Sequence, residues 1–268
     1  MSEQMVKDIK AATEAHNKCD CSKSVFLESK ESASDKTIVF YGEPSCGLMD
    51  IMAVDNRKDF LFQLAKISHH SNFRFITGST GRMLVQVARE MMAEQALKLD
   101  AKYVLFVDDD MIVPKRMFEA LMKHADKADI IAPICFQRIS PYKPVIYKTK
   151  KEIKDGKLYI TNNHITDYEP NSIVYPDAVG FGVVLINTEV FKKLPQPWFF
   201  SNTNIGEDIY FCQQAKAAGF NILVDTSVKV GHLAMPEVIT EREFALNNET
   251  KLSYSQDDKE AVATSESN

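Results

Sequence analysis

Three consecutive carboxylates, Asp108, Asp109 and Asp110, follow directly on the apolar run Tyr103-Val104-Leu105-Phe106-Val107. An uninterrupted apolar run of this length reads as a strand buried on both faces. The acids therefore fall at its carboxyl end, where open α/β sheets bind ligands. Unpaired carboxylates crowded together repel one another unless a cation neutralises them. If the chain stays extended, Asp108 and Asp110 are alternate residues and point the same way. A hard divalent ion, Mg²⁺ or Mn²⁺, takes one or two carboxylates and completes its shell with phosphate oxygens and water. That chemistry suits a diphosphate leaving group, whose developing charge the metal takes up. The plainer alternative is a solvated Asp-rich turn capping the next helix.

Other residues of chemical interest lie far from the triplet in sequence. Glu207 and Asp208 open an expected helix over residues 207–218 that stops at Gly219; the helix dipole alone favours acids there. Arg82 and Arg89 lie on an expected helix over residues 82–99, after the Gly78-Ser79-Thr80-Gly81 loop. A guanidinium in that place is suited to gripping a diphosphate, although helical arginines are as often exposed or paired with acids. Lys143, Lys148, Lys150, Lys151, Lys154 and Lys157 cluster around an expected hairpin over residues 145–160, turning at Asp155-Gly156. Such a run is ordinarily a solvated face; the alternative is an arm for an anionic acceptor, and for DNA this is where phosphates would land.

The elements that position these residues alternate. Strands are expected at residues 37–41, 73–77, 103–107 and 129–133, separated by helices at 56–68, 82–99 and 115–124, the last opened by Pro114. Met83, Val87, Met91 and Ala96 fall near one face of the helix over 82–99 and read as its apolar side. Strand–helix–strand alternation implies an α/β fold: a mostly parallel sheet with helices on both faces. The second half adds the hairpin, a strand in Gly182-Val183-Val184-Leu185-Ile186-Asn187, a helix starting at Thr188, and a last strand at 221–224 leading to Val230-Gly231-His232. Residues 1–36 read as a polar N-terminal extension, 37–249 as the catalytic domain and 250–268 as a disordered acidic tail.

Composition narrows the function class. The 268 residues carry a net charge of −5, which offers no general attraction for nucleic acid. No run of about 18 apolar residues is present, so no membrane span is expected. The first 35 residues lack the apolar stretch of a secretory signal. Five scattered cysteines (Cys19, Cys21, Cys46, Cys135 and Cys212) suit a reducing compartment better than a disulfide framework, and the expected location is cytoplasmic. Cys19-Asp20-Cys21 lacks a second ligand pair at metal-binding spacing and reads as a tail with free thiols.

Four segments, in order, resemble GT-A glycosyltransferases over residues 37 to 235. Ala88-Arg89-Glu90 looks like the helix upstream of the D-x-D in family 2 enzymes. Phe106-Val107-Asp108-Asp109-Asp110 looks like the D-x-D strand end itself. Asp177-Ala178-Val179-Gly180-Phe181-Gly182 looks like the small-residue strand on the sugar and acceptor side. Gly206-Glu207-Asp208, with the later Val230-Gly231-His232, is similar to the helix and terminal motif of the polypeptide N-acetylgalactosaminyltransferases.

The resemblance implies a metal-dependent glycosyltransferase of hexosyl or pentosyl type, using a UDP- or GDP-linked nucleotide sugar and Mn²⁺ or Mg²⁺. It implies that Asp110 ligates the metal, that Asp108 binds ribose or shares the metal, and that Asp109 is the variable middle position. His232 matches a third metal ligand found late in some members; otherwise it is a strand-end histidine bonded to backbone. Asp208 matches the general base of inverting members, and Glu207 the donor-sugar contact of retaining ones. Pro44 and Ser45 fall where the nucleotide base usually sits, and Gln137-Arg138 and Gly180 fall on the sugar side. The acceptor stays open: polysaccharide, protein or modified DNA. The turn Tyr41-Gly42-Glu43-Pro44-Ser45-Cys46-Gly47 departs from the short turn of common family 2 enzymes, which leaves the nucleotide open too.

Three rivals compete. A phosphatase of the haloacid dehalogenase type also ends an apolar strand in D-x-D, but there the D-x-D precedes the strand that carries Ser or Thr. Here Ile76-Thr77-Gly78-Ser79 comes first. A sugar-phosphate nucleotidyltransferase needs a Gly-rich loop with Arg and Lys after the first strand, and the 41–47 turn lacks that basic pair. A catalytically inactive GT-A-like binding module has no need of the triplet, the acidic pair and His232 together.

Overall fold

The computed structural model describes residues 35–45, 47–234 and 237–248. The expected extension over residues 1–36 (all but its last two residues), the Cys19-Asp20-Cys21 pair, Cys46 and the tail over 250–268 lie outside the described residues.

In chain order the elements are β1 (Thr37–Glu43), α1 (Ile51–His70), β2 (Phe73–Ser79), α2 (Val85–Lys98), β3 (Tyr103–Val107), β4 (Met111–Ile112), α3 (Met117–Met122), β5 (Ile130–Ile134), β6 (Ile146–Lys154), β7 (Lys157–His164), β8 (Ile173–Val174), β9 (Ala178–Val179), β10 (Val183–Asn187), α4 (Glu189–Lys193), α5 (Glu207–Ala217), β11 (Ile222–Lys229), β12 (Gly231–Ala234), β13 (Glu237–Ile239) and α6 (Glu241–Asn248). Seven strands form the main sheet in the order β2-β1-β3-β10-β5-β11-β8. β1 pairs parallel with β2 and β3, and β11 pairs parallel with β5; β10 runs antiparallel between β3 and β5, and β8 antiparallel beside β11.

Alternation within the strands explains the layers. Phe40, Val104, Phe106, Ile130, Val184 and Ile186 face one core, with Met92, Ala93 and Ala96 of α2 and Phe211 and Ala215 of α5. Their neighbours Val39, Tyr41, Leu105, Val107, Ile131 and Leu185 face the other, with Phe60 and Leu64 of α1 and Phe118 and Leu121 of α3. The central strands are thus buried on both sides, as their apolar runs require. The expected mostly parallel sheet with helices on both faces is the observed one.

Several details differ from the sequence expectation. β2 continues through Gly78 and Ser79, paired with Gly42 and Glu43 of β1, and ends within the Gly-Ser-Thr-Gly stretch, two residues later than expected. α2 begins at Val85, which leaves Arg82 on the bend before it. Of the expected apolar face of this helix only Ala96 is buried. Met83, Val87 and Met91 are exposed, Met91 by 51%, while Ala88, Arg89, Met92, Ala93 and Ala96 are buried. Small alanines let the helix lie close to the sheet, and the arginine is buried because it meets carboxylates described below. The hairpin of β6 and β7 forms as expected, with Asp155 and Gly156 both at positive φ in its two-residue turn. α6 was not anticipated. Its signal was Thr240-x-x-Glu243: the Glu243 carboxylate accepts from the Thr240 backbone N–H at 2.8 Å, half of a capping box. Among the described residues no helix is long and apolar enough to cross a membrane.

Candidate functional site

The carboxyl ends of β1, β3, β5 and β11 converge on one edge of the sheet. β10 is antiparallel, so its leading residues, Gly180 to Gly182, arrive at that same edge; the Asp108 N–H donates to the Gly182 carbonyl at 2.8 Å. α5 begins beside it. This one edge thereby collects Ser45, the acidic triplet, Gln137, Gly180, Glu207 and Asp208.

The triplet does not stay extended. Met111 N–H bonds back to the Asp108 carbonyl at 3.2 Å, closing a turn, and the three side chains reach three different sets of partners. Asp108 receives Arg89 Nη2 on its two oxygens at 2.8 and 3.0 Å. Asp109 Oδ2 accepts from Ser45 Oγ at 2.8 Å. Asp110 Oδ2 accepts from Arg138 Nη1 at 2.9 Å and lies 3.4 Å from His232 Nε2. The expectation that Asp108 and Asp110 point the same way is corrected by this turn.

β12 explains how His232 reaches the triplet. The chain leaves β11 and pairs antiparallel with β4, setting His232 opposite Met111, and Leu233 N–H bonds the Asp110 carbonyl at 2.8 Å. His232 Nδ1 lies 2.7 Å from the Phe136 carbonyl. A carbonyl only accepts, so Nδ1 carries the proton and Nε2 is left to face Asp110. A neutral imidazole lone pair and a carboxylate oxygen attract each other only through a shared proton or a cation. The backbone bond of the plainer alternative is present at Nδ1, and Nε2 faces Asp110 at 3.4 Å.

These donors fit a hard divalent ion. One carboxylate and one imidazole with its second nitrogen anchored to a carbonyl make a usual pair of protein ligands. Among the described residues no group of three His, Cys, Asp or Glu side chains is placed to hold a metal ion. Burial disfavours the charged Asp110 carboxyl, but an imidazolium form of His232, donating from Nε2 as well as Nδ1, and the Arg138 guanidinium hold it below the usual carboxylate range.

Arg89 is 1% exposed and central. Besides Asp108 it reaches Glu207 through Nε at 3.3 Å and the Phe181 carbonyl through Nη2 at 3.2 Å, between the rings of Phe106 and Phe181. It does not face solvent in the manner expected of a diphosphate grip; it ties the triplet to the start of α5. Burial pushes the Asp108 carboxyl up to about 7 despite Arg89, with the Asp110 charge adding to the rise. Arg82 is exposed and lies across Gly47, in the loop after β1.

Asp208 sits in the first turn of α5, its Oδ1 accepting from the Ile209 N–H at 2.7 Å. Burial pushes its carboxyl up to about 6, and the adjacent Glu207 adds to this. Gly180 lines the same spot: a Cβ there would meet Val145 Cγ2 at 2.8 Å and Asp208 Oδ2 at 3.6 Å. The hairpin roots here too, with Lys148 Nζ 3.2 Å and Thr149 N–H 3.0 Å from Asp177. Lys150 and Lys154 both pair with Glu152, so part of the lysine run is neutralised within the arm itself. Gln137 is half-buried, its N–H bonded to the Lys143 carbonyl at 2.9 Å, and Pro44 is buried next to Ser45.

Two residues of this edge escaped sequence reasoning. Arg57, 4% exposed, donates to the carbonyls of Asp108 and Met111 at 2.8 and 3.3 Å and pairs with Glu43 at 2.6 Å. It clamps the backbone of the acidic turn from α1, helped by Asn56, which exchanges two bonds with Val113. The signal was available: Arg57 stands in register with Ala53, Phe60 and Leu64 on the buried face of α1, where a charge needs a partner.

No protein-family model and no curated protein matches the chain. Several solved structures are similar in fold. A197 from STIV is 18% identical, with a TM-score of 0.49, over 76% of this chain and 93% of that one. GalNAc-T7 with UDP, GalNAc and Mn²⁺ is 11% identical, with a TM-score of 0.42, over 75% of this chain and 44% of that one. S. aureus TarS 1-349 in complex with UDP-GlcNAc is 12% identical, with a TM-score of 0.39, over 71% and 56%. The chain thus spans less than two thirds of the last two. These are likenesses of fold, and none of them assigns a role to a residue.

Proposed function

We propose that this chain is a metal-dependent glycosyltransferase that binds a nucleoside diphosphate sugar, UDP- or GDP-linked, at the edge formed by β1, β3 and β12. The observation that carries the proposal is the pair His232 Nε2 and Asp110 Oδ2, 3.4 Å apart, with the other ring nitrogen anchored on the Phe136 carbonyl.

Asp110 and His232 would hold Mn²⁺ or Mg²⁺. The ion, when bound, would bridge to the diphosphate and take up the charge that develops as the sugar leaves. The chain's own residues account for the rest. Ser45 and Asp109, joined at 2.8 Å, form the wall on the nucleotide side with Pro44. Asp108 and Glu207 belong to the frame, both bound by Arg89. Asp208 stands as the base that takes the proton from the acceptor hydroxyl, since a carboxyl pushed up to about 6 is ionised at neutral pH yet basic enough to accept it. That role corresponds to inversion at the sugar carbon. Gly180 packs against Val145 and lies beside Asp208, so it holds the backbone of the β10 lead-in close to this carboxyl.

A thermal-shift screen of nucleotide sugars with and without Mn²⁺ tests the proposal, because a ligand bound only by the folded state raises the midpoint. One UDP- or GDP-sugar is expected to stabilise the protein in Mn²⁺ and not in EDTA. Asp110→Ala and His232→Ala should each abolish that shift. Equal shifts in Mn²⁺ and EDTA for every nucleotide would remove the metal from the site, and binding without transfer would favour a non-catalytic module.

A further inference from the structure

One oxygen of Asp110 lies within reach of two different groups. Arg138 Nη1 is 2.9 Å from Oδ2, and His232 Nε2 is 3.4 Å from the same atom. We propose that Arg138 is a tethered counter-ion: it neutralises Asp110 when no metal is bound, and moves to a phosphate oxygen of the donor when metal takes Asp110. The inference rests on the metal-bridged donor site above and adds a coupling between metal and nucleotide that the site alone does not contain.

The first support is the shared atom. A guanidinium on Oδ2 and a divalent ion on the same oxygen are like charges in contact, so one must yield. The second is the way Arg138 is mounted. Its backbone belongs to a tight excursion between β5 and β6, closed at the root by the Phe136–Pro144 bridge and within by Gln137 N–H to Lys143 O at 2.9 Å and Tyr142 N–H to Ile139 O at 2.8 Å. The side chain, in contrast, is 55% exposed, and Asp110 is the one acid it pairs with among the described residues. A fixed base with a long, exposed arm suits a group that changes partners. Arg57 and Arg89, the two buried guanidinium groups at this edge, are each held by several acceptors.

The third support is chemical equivalence. A guanidinium fork recognises carboxylate and phosphate in the same planar manner. Phe136, two residues before Arg138, supplies the carbonyl that holds the His232 ring. The segment that presents the imidazole toward Asp110 therefore also carries the cation that stands in for the metal.

Charge balance predicts opposite signs for the two ligands. Around this edge the carboxylates Glu43, Asp108, Asp109, Asp110, Glu207 and Asp208 outnumber the guanidinium groups of Arg57, Arg82, Arg89 and Arg138. Removing Arg138 makes the site more negative and frees Asp110, so a metal alone binds more tightly. The same change removes a phosphate partner, so nucleotide binds less tightly in saturating metal. A merely structural role would move both affinities the same way or neither.

The test is calorimetric titration of the full chain with MnCl₂ alone, and then with UDP and with GDP in saturating Mn²⁺, for wild type, Arg138→Ala, Arg138→Lys and Asp110→Ala. Arg138→Ala is expected to tighten Mn²⁺ alone by about 3- to 10-fold and to weaken the preferred nucleotide by about 10-fold, the scale of one charge-assisted contact. Arg138→Lys should fall between wild type and Arg138→Ala on both. If wild type binds Mn²⁺ through Asp110 but Arg138→Ala moves both affinities together, or neither, the counter-ion role is refuted while the metal site stands. If wild type and Asp110→Ala behave alike toward Mn²⁺, the metal site fails and the counter-ion role with it.

Discussion

Arg89 joins Asp108 to Glu207, two carboxylates separated by more than a third of the chain, through Nη2 at 2.8 Å and Nε at 3.3 Å. It ties the acidic turn after β3 to the first turn of α5. A cation buried to this depth is tolerated only because its acids are buried with it.

Removing the cation alone should therefore be costly. Arg89→Met leaves Asp108 and Glu207 facing each other without compensation, and a loss of about 3 kcal/mol in urea unfolding is expected. Arg89→Lys keeps a charge but not the fork that reaches both acids. It should recover part of the stability and little of the metal-dependent nucleotide binding. Unfolding midpoints within 1 °C of wild type for both variants would show that the bridge contributes nothing.

Asp208 gives a pH dependence with a defined sign. As a base it works only when ionised, so transfer should be lost as pH falls through about 6 and be level above it. Asp208→Asn should remove that limb and lower kcat by about 10²–10⁴. Stability should move in the opposite sense. The folded carboxyl sits above its ordinary value, so its contribution is greatest in acid and is lost as pH rises through about 6. Asp208→Asn should accordingly be as stable as wild type or more so at pH 8, by about 1–2 kcal/mol. A variant that is less stable at pH 8 than wild type would contradict this account of Asp208.

Gly180 offers a steric test with a rescue. The Cβ of Gly180→Ala would lie 2.8 Å from Val145 Cγ2, closer than real carbons approach, and 3.6 Å from Asp208 Oδ2. Val145 is β-branched and cannot swing aside freely, so a loss of about 1–3 kcal/mol is expected. Combining Gly180→Ala with Val145→Gly removes both carbons that clash, Cγ2 at 2.8 Å and Cβ at 2.9 Å. The loss caused by Gly180→Ala should be smaller in the Val145→Gly background, giving a favourable coupling of at least about 0.5 kcal/mol in the cycle. Additive losses would mean that the close approach does not decide the residue at position 180.

Much of this site could be read from local sequence, and the reason is local. An apolar run followed at once by acids places those acids at a strand end whatever surrounds it, as Val107 and Asp108 demonstrate. Asp155-Gly156 turns a hairpin through its own φ preferences, and Glu207-Asp208 opens a helix through the dipole of that helix. Strand, turn and helix boundaries depend on a few neighbours, so they survive in a one-dimensional reading.

What belonged to the tertiary structure was the choice of partner. The same sequence pattern offers three equivalent aspartates, and only the turn bonded from Met111 N to Asp108 O sends Asp108 to Arg89, Asp109 to Ser45 and Asp110 to Arg138 and His232. Periodicity assigns Met83, Val87 and Met91 to the inside of α2, yet the inside carries Arg89, because acids 19 and 118 residues away compensate its charge. His232 stands beside Asp110 because a two-residue strand, β4, pairs with β12. Hydrophobic spacing is legible along a chain; the pairing of buried charges and short strands is settled by distant residues, and only the folded molecule brings those together.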